Sequence, residues 1–240
     1  MRINGNNALK NDDNPAKAFK EISLNESMFL DDDHSFSNIE TPLSPGAFML
    51  NNDEKKEKIS YHFSKIMETL GLDLTDDSLK GTPLRVAKMY VDEIFYGLDP
   101  ENKPRPTLFD NNYHYDEMLI EKNIKVHSYC EHHFVPIIGK AHVAYKSNGK
   151  VIGLSKINRI VDYYSRRPQV QERLTIQIAH ELKKVLETED VAVIIDSAHM
   201  CVITRGIQDV DSTTITSSYH GDFKEPETKT EFLRQLGLKA

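Results

Sequence analysis

The sequence predicts an α+β fold, with helices packed on an antiparallel sheet, and three observations carry that reading. Apolar residues recur at helical spacing in two stretches before residue 97 and again between residues 155 and 186. From Met118 onward β-rich runs appear. Ser147-Asn148-Gly149-Lys150 is a strong hairpin-turn signal. Helices and hairpins in this order point to α+β.

Each element has its own justification. Residues 1–53 are rich in Asn, Asp and Ser, carry Asp31-Asp32-Asp33, and include Pro42, Pro45 and Gly46. Such a segment buries too little apolar surface to offset its chain entropy. It is expected to be an acidic disordered tail, with a short ordered piece around Phe48-Met49-Leu50. Ile59, Phe63, Ile66, Met67 and Leu70 then trace a helix that Gly71 stops. Thr82-Pro83 reads as an N-cap and first-turn proline. The stripe Val86, Tyr90, Val91, Ile94 and Phe95 follows, closed by Gly97. Residues 54–115 thus form a helical region ahead of the main domain at 116–240. There, residues 134–145 read as a strand that turns into Val151-Ile152. Ser155 caps a helix to about Ser165, and Pro168 opens another with Val170, Leu174, Ile178, Leu182, Val185 and Leu186 on one face. A buried strand covers residues 191–204, an extended run 211–218, and a last helix 228–236.

Composition narrows the function. Hydrophobic residues make up 39% and charged residues 28%, ordinary for a globular protein. With no apolar leader and no membrane-length run, a cytoplasmic protein without membrane contact is expected. The formal charge of −7 argues against nucleic acid as a partner. Residues 1–50 hold eight Asp/Glu against four Lys/Arg and so supply −4 of it. Lys156, Arg159, Arg166, Arg167, Arg173 and Arg205 bunch elsewhere, either for a small anionic ligand or as solvated helix faces.

The chain has two cysteines, in Cys130-Glu131-His132-His133 and in His199-Met200-Cys201. Thiolate and imidazole are ligands that zinc prefers. One tight turn can bring Cys130 and His133 to a single ion. Cys201, on the strand expected at 191–204, would share a face with His199. Three ligands with a fourth position for water make a catalytic site, since a structural one is closed. The local pattern leaves two other readings open: cysteines buried as small hydrophobes, or a Cys130–Cys201 disulfide.

Five spaced motifs now resemble the GTP cyclohydrolase I family over residues 76–236. They are Thr82-Pro83-Leu84-Arg85-Val86-Ala87-Lys88, the Cys130 motif, Gly153-Leu154-Ser155-Lys156-Ile157-Asn158-Arg159, Arg167-Pro168-Gln169-Val170-Gln171-Glu172-Arg173-Leu174, and the Cys201 motif with Arg205-Gly206 after it. The resemblance implies a tunnelling fold whose subunits close into rings, as a homodecamer of two stacked pentamers with sites between subunits. It implies conversion of GTP and water to formate and 7,8-dihydroneopterin triphosphate, the first step towards pterins and folates.

By the same resemblance, Cys130, His133 and Cys201 hold one zinc per subunit. His132 protonates guanine N7; its alternative is a place as a further ligand or beside one. His199 and Ser155 act at the ribose. Lys156, Arg159 and Arg205 hold the triphosphate, with Arg85 and Lys88 reaching in from a neighbouring subunit. Glu172 reads guanine through its ring N1–H and amine, a pair adenine lacks, and Gln171 lines the same pocket. The chain departs from the family pattern in its acidic tail and at Tyr219-His220-Gly221-Asp222, where a small glycine-rich stretch is usual. Two rivals stay open: another tunnelling-fold enzyme acting on a purine or pterin, and an inactive ring that keeps only the nucleotide pocket.

Overall fold

The computed structural model describes residues 39–238, so residues 1–38 of the expected tail lie outside the described residues. Helix α1 (Asn52–Thr69) opens on a reciprocal cap. Asn51 Oδ1 accepts from the backbone N–H groups of Asp53 and Glu54, and Glu54 Oε2 accepts from the N–H of Asn51 at 2.9 Å. Helix α2 (Thr82–Lys88) begins one residue earlier than expected, with Gly81 at the cap position. The Thr82 hydroxyl accepts from Arg85 Nη2 at 2.6 Å and does not cap the helix. The apolar stripe then continues through a π-helical turn, Met89–Ile94, and two 3-10 turns, Tyr96–Leu98 and Pro100–Asn102.

Gly97 does more than end that stripe. A Cβ there would lie 2.1 Å from the Tyr163 carbonyl oxygen and 2.8 Å from that of Arg166. Only glycine permits the contact, and its N–H donates to the Arg166 carbonyl at 3.0 Å. The turn at Gly97 is thereby tied to residues 163–166.

Strand β1 (Leu108–Asp110) pairs antiparallel with β4 (Lys150–Ile152). The main sheet contains β2 (Leu119–Cys130), β3 (Pro136–Tyr145), β5 (Pro168–Gln169), β6 (Val191–His199) and β7 (Thr214–Tyr219), in the order β5-β2-β3-β6-β7. Its pairs are antiparallel apart from the short parallel β2–β5 contact. Two expectations change here. The turn at Gly149 (φ 84°) forms, but it delivers β4 to β1 and not back onto β3. Pro168 lies in strand β5, and its helix begins three residues later.

Helices α3 (Leu154–Ser165) and α4 (Gln171–Leu186) cover one face of the sheet. Gly153, not Ser155, holds the cap position of α3. Ile157, Leu174, Ile178 and Leu182 pack there against Val126, Val143, Val193 and Ile195. On the opposite face, Phe223 and Phe232, the latter from helix α6 (Pro226–Leu236), pack against Ala144, Ala192 and Ile194. Strand β6 therefore alternates between two cores, which is why residues 191–195 form an unbroken apolar run.

Phe95 contacts the rings of Tyr90, Tyr129 and Phe134, with centroids 5.3–5.6 Å apart. An apolar cavity of about 440 Å³ beside this cluster is lined by Leu43, Phe48, Phe63 and Phe134, among others. In residues 39–51, the Ile39 carbonyl accepts from Gln177 Nε2 at 2.7 Å, and Thr41 Oγ1 accepts from Arg167 Nη1 at 3.3 Å. Among the described residues, no helix is long and apolar enough to cross a membrane.

Candidate active site

Strand β2 ends at Cys130, and the next residues reverse direction tightly. The Phe134 N–H donates to the Cys130 carbonyl at 2.8 Å, and the Cys130 N–H donates to the Val135 carbonyl at 2.9 Å. Phe134 takes a left-handed backbone, φ 55°, which a phenylalanine rarely adopts. The turn puts His132 and His133 on the surface beside buried Cys130.

Cys201 arrives differently from the expectation. The last β3–β6 pair is Ile137 with His199, and β3 begins at Pro136, which has no N–H for the ladder. With no partner beyond that point, the chain leaves the sheet and forms a helical turn, α5 (Met200–Ile203), which carries Cys201. His199 and Cys201 therefore do not lie two apart on one strand. The ligand atoms of Cys130, His133 and Cys201 nevertheless lie within 4.8 Å of one another.

That group fits zinc on its own chemistry. Bonds of about 2.0–2.3 Å set the ligand atoms of a tetrahedral zinc about 3.3–3.8 Å apart, so the trio closes on one ion with a small inward shift. Both cysteines are free. Burial, and then the neighbouring Cys130, push the Cys201 thiol up from its usual range. Two thiols this close resist joint ionisation, and a divalent cation removes that penalty. Arg205 Nη1 lies 2.6 Å from His133 Nε2. His133 Nδ1 faces Cys130 Sγ at 3.9 Å, so this ring edge is the one turned towards the cysteines.

His199 is half-buried, and its Nε2 lies 2.8 Å from Gln171 Oε1. The amide oxygen can only accept, so His199 Nε2 carries the proton and Nδ1 is left as the acceptor. Gln171 Nε2 reaches the carbonyls of Ile195 at 3.0 Å and Thr214 at 2.8 Å, and Thr216 Oγ1 at 3.1 Å. Gln171 is 1% exposed, with both ends of its amide engaged. Burial holds the His199 imidazole below its ordinary range, and the Glu172 carboxylate opposes that shift. Glu172 itself is exposed in the first turn of α4.

Ser155, Lys156 and Arg159 stand on the opening turns of α3, where free N–H groups favour anions. Lys156 is half-buried, and the other two are exposed. Arg85 is held within its own region, donating to the Ser78 carbonyl at 3.0 Å as well as to Thr82, and exposed Lys88 ends α2. Sequence reasoning overlooked Glu131, whose Oε2 pairs with Arg173 Nη2. It also overlooked the anchoring of Gln171, for which no sequence signal exists.

Comparison with known proteins points to one family. The family model described as GTP cyclohydrolase I matches residues 59–237. A protein named GTP cyclohydrolase 1 from Flavobacterium johnsoniae is 59% identical over 218 residues, covering 90% of this chain and 98% of that one. Proteins of the same name from Aeromonas salmonicida and Vibrio parahaemolyticus are 57% and 54% identical, each over 82% of this chain and 90% and 91% of theirs. Among solved structures, the apo archaeosine synthase QueF-Like matches with a TM-score of 0.37 at 17% identity, over 43% of this chain and 93% of that chain. That likeness is too slight to speak to fold or function. The family model and the near full-length relatives carry the conclusion, and this chain belongs to the GTP cyclohydrolase I family.

Proposed function

We propose that this site hydrolyses GTP to formate and 7,8-dihydroneopterin triphosphate. The observation that carries the reading is the convergence of Cys130, His133 and Cys201, with His132 beside Cys130, in a chain of this family. A zinc held by the three would bring the pKa of water towards ~7, which supplies a nucleophile at neutral pH. His132 gives a proton to guanine N7, leaving C8 electron-poor. Water adds at C8, the five-membered ring opens, and a second hydrolysis releases formate. His199 and Ser155 move protons while the ribose rearranges and recloses onto the ring amines.

Glu172 accepts from guanine N1–H and the exocyclic amine, and Lys156, Arg159 and Arg205 hold the triphosphate. Gln171 serves the site by holding His199, since both ends of its amide are already engaged. Residues 116–240 are the catalytic domain, residues 54–115 a helical region, and residues 1–53 an acidic extension. Arg85 and Lys88 complete the phosphate site of a neighbouring subunit in a ring assembly of tunnelling-fold subunits, a decamer of two pentamers.

The test is purified protein with GTP, following the dihydropterin absorbance band and released formate, with and without a zinc chelator. Production of both, stopped by chelator and restored by zinc, is the expected result. GTP that binds zinc-loaded protein and stays intact would overturn the reading.

A further inference from the structure

A chain of buried side-chain hydrogen bonds ends at the Cys130 turn. Glu131 Oε2 pairs with Nη2 of Arg173, which is 9% exposed in the first turn of α4. Arg173 Nε donates to Gln169 Oε1 at 3.1 Å. Fully buried Gln169 donates onward to Gln177 Oε1 at 2.8 Å, and Gln177 in turn donates to the Ile39 carbonyl. The Glu131 N–H is also tied, donating to the Gln169 carbonyl at 3.0 Å. The second carboxylate oxygen, Oε1, faces His132 Nε2 at 3.9 Å, and His132 Nδ1 lies 3.7 Å from Cys130 Sγ.

Burying a guanidinium and two amides in this way costs desolvation that an apolar core would avoid. What such a chain supplies is direction. The planar fork of an arginine fixes a carboxylate in plane and angle, and Gln169 fixes the fork. The carboxylate so fixed belongs to the residue between Cys130 and His132, on a turn that is otherwise exposed. An exposed histidine next to a two-cysteine, one-histidine group has two wrong positions available: inward as a fourth ligand, or outward into solvent.

We propose that Arg173 and Glu131 are positioning residues for His132, holding its ring at the edge of the metal group so that it neither closes the fourth position nor turns away from substrate. The inference rests on the reading of His132 as the proton donor.

The test compares Glu131→Gln, which keeps shape and loses charge, with Arg173→Lys, which keeps charge and loses the fork. Each is expected to retain folded structure, stoichiometric zinc and KM, while kcat falls about 10–100-fold, the range typical of partners that orient a metal site. In the cobalt-substituted protein, Glu131→Gln should change the visible ligand-field bands as His132 moves in. The same change should be absent when His132→Asn is added. A kcat within about twofold of the unaltered enzyme in Glu131→Gln, or loss of zinc and folded structure together in that variant, would overturn the proposal. His132→Asn alone separates the two ideas. Full activity there means the proton-donor reading has failed, whereas an inactive His132→Asn beside a fully active Glu131→Gln means only the positioning has failed.

Discussion

Gln171 shows how much one buried amide can decide. Its nitrogen reaches three acceptors on β6 and β7, and its oxygen faces His199. Gln171→Leu takes the amide from the buried Ile195 carbonyl and from Thr216, at a cost of about 1–2 kcal/mol in urea unfolding. It also frees the His199 ring, so activity should fall further than the stability loss explains, as a kcat assay at saturating GTP would show. For His132, replacement by Asn should retain zinc while turnover falls about 10²–10⁴-fold, the usual worth of a general acid. Cys201→Ser should lose zinc and activity together, and metal analysis of both variants checks the contrast. The metal trio was legible in the sequence because cysteine is scarce here and its pairing with histidine has few chemical uses. Gln171 was legible only as a pocket residue. A glutamine in a first helical turn gives no hint of which strands its amide will meet. Glu131 and Arg173 were hidden for the same reason, since a charge reveals its partner only after β2, β5 and α4 have been brought together.

At the level of elements, β3 at Gly139 sits hard against β6. A Cβ there would fall 2.1 Å from both the Asp196 carbonyl oxygen and Ser197 Oγ. Gly139→Ala should cost ~1–3 kcal/mol by forcing the central pair apart, measurable as a lowered urea midpoint. Helices α3 and α4 were read to within a few residues, because their apolar stripes face one core. The end of β6 was missed because Cys201-Val202-Ile203 is as apolar as the strand before it. Its fate depends on where β3 begins, which local pattern does not express. The sheet also predicts a pH response. His142 on β3 has its imidazole held below the ordinary value of 6.5 chiefly by burial, then by Lys140 and Lys122, with Asp196 opposing. His220 after β7 is lowered by burial, then by Lys183, His180 and Lys224, with Glu189 opposing. In both, the unfolded chain takes up the proton first. Stability is thus full above pH 6.5 and declines as pH falls through the lower native values. Urea midpoints should therefore drop from pH 7.5 towards pH 5, and His142→Gln/His220→Gln should flatten that decline.

For the whole molecule, the separation of Arg85 from the metal motifs in sequence becomes a test of assembly. If sites form between subunits, inactive Arg85→Ala and inactive Cys130→Ser chains should regain part of the activity when unfolded together and reassembled as mixed rings. Mixing that restores nothing would put each site within one subunit. The proposed ring rests on family resemblance alone, because edge-to-edge pairing between copies leaves no periodic mark in one chain. The cluster of Phe95 with Tyr90, Tyr129 and Phe134 has a practical consequence at this scale. The chain contains no tryptophan. An indole introduced as Phe95→Trp would be the sole long-wavelength emitter, seated between the helical region and the two residues that flank Cys130 to His133. Excited selectively, it would report optically, without background, when the metal loop settles and when its neighbouring elements arrive.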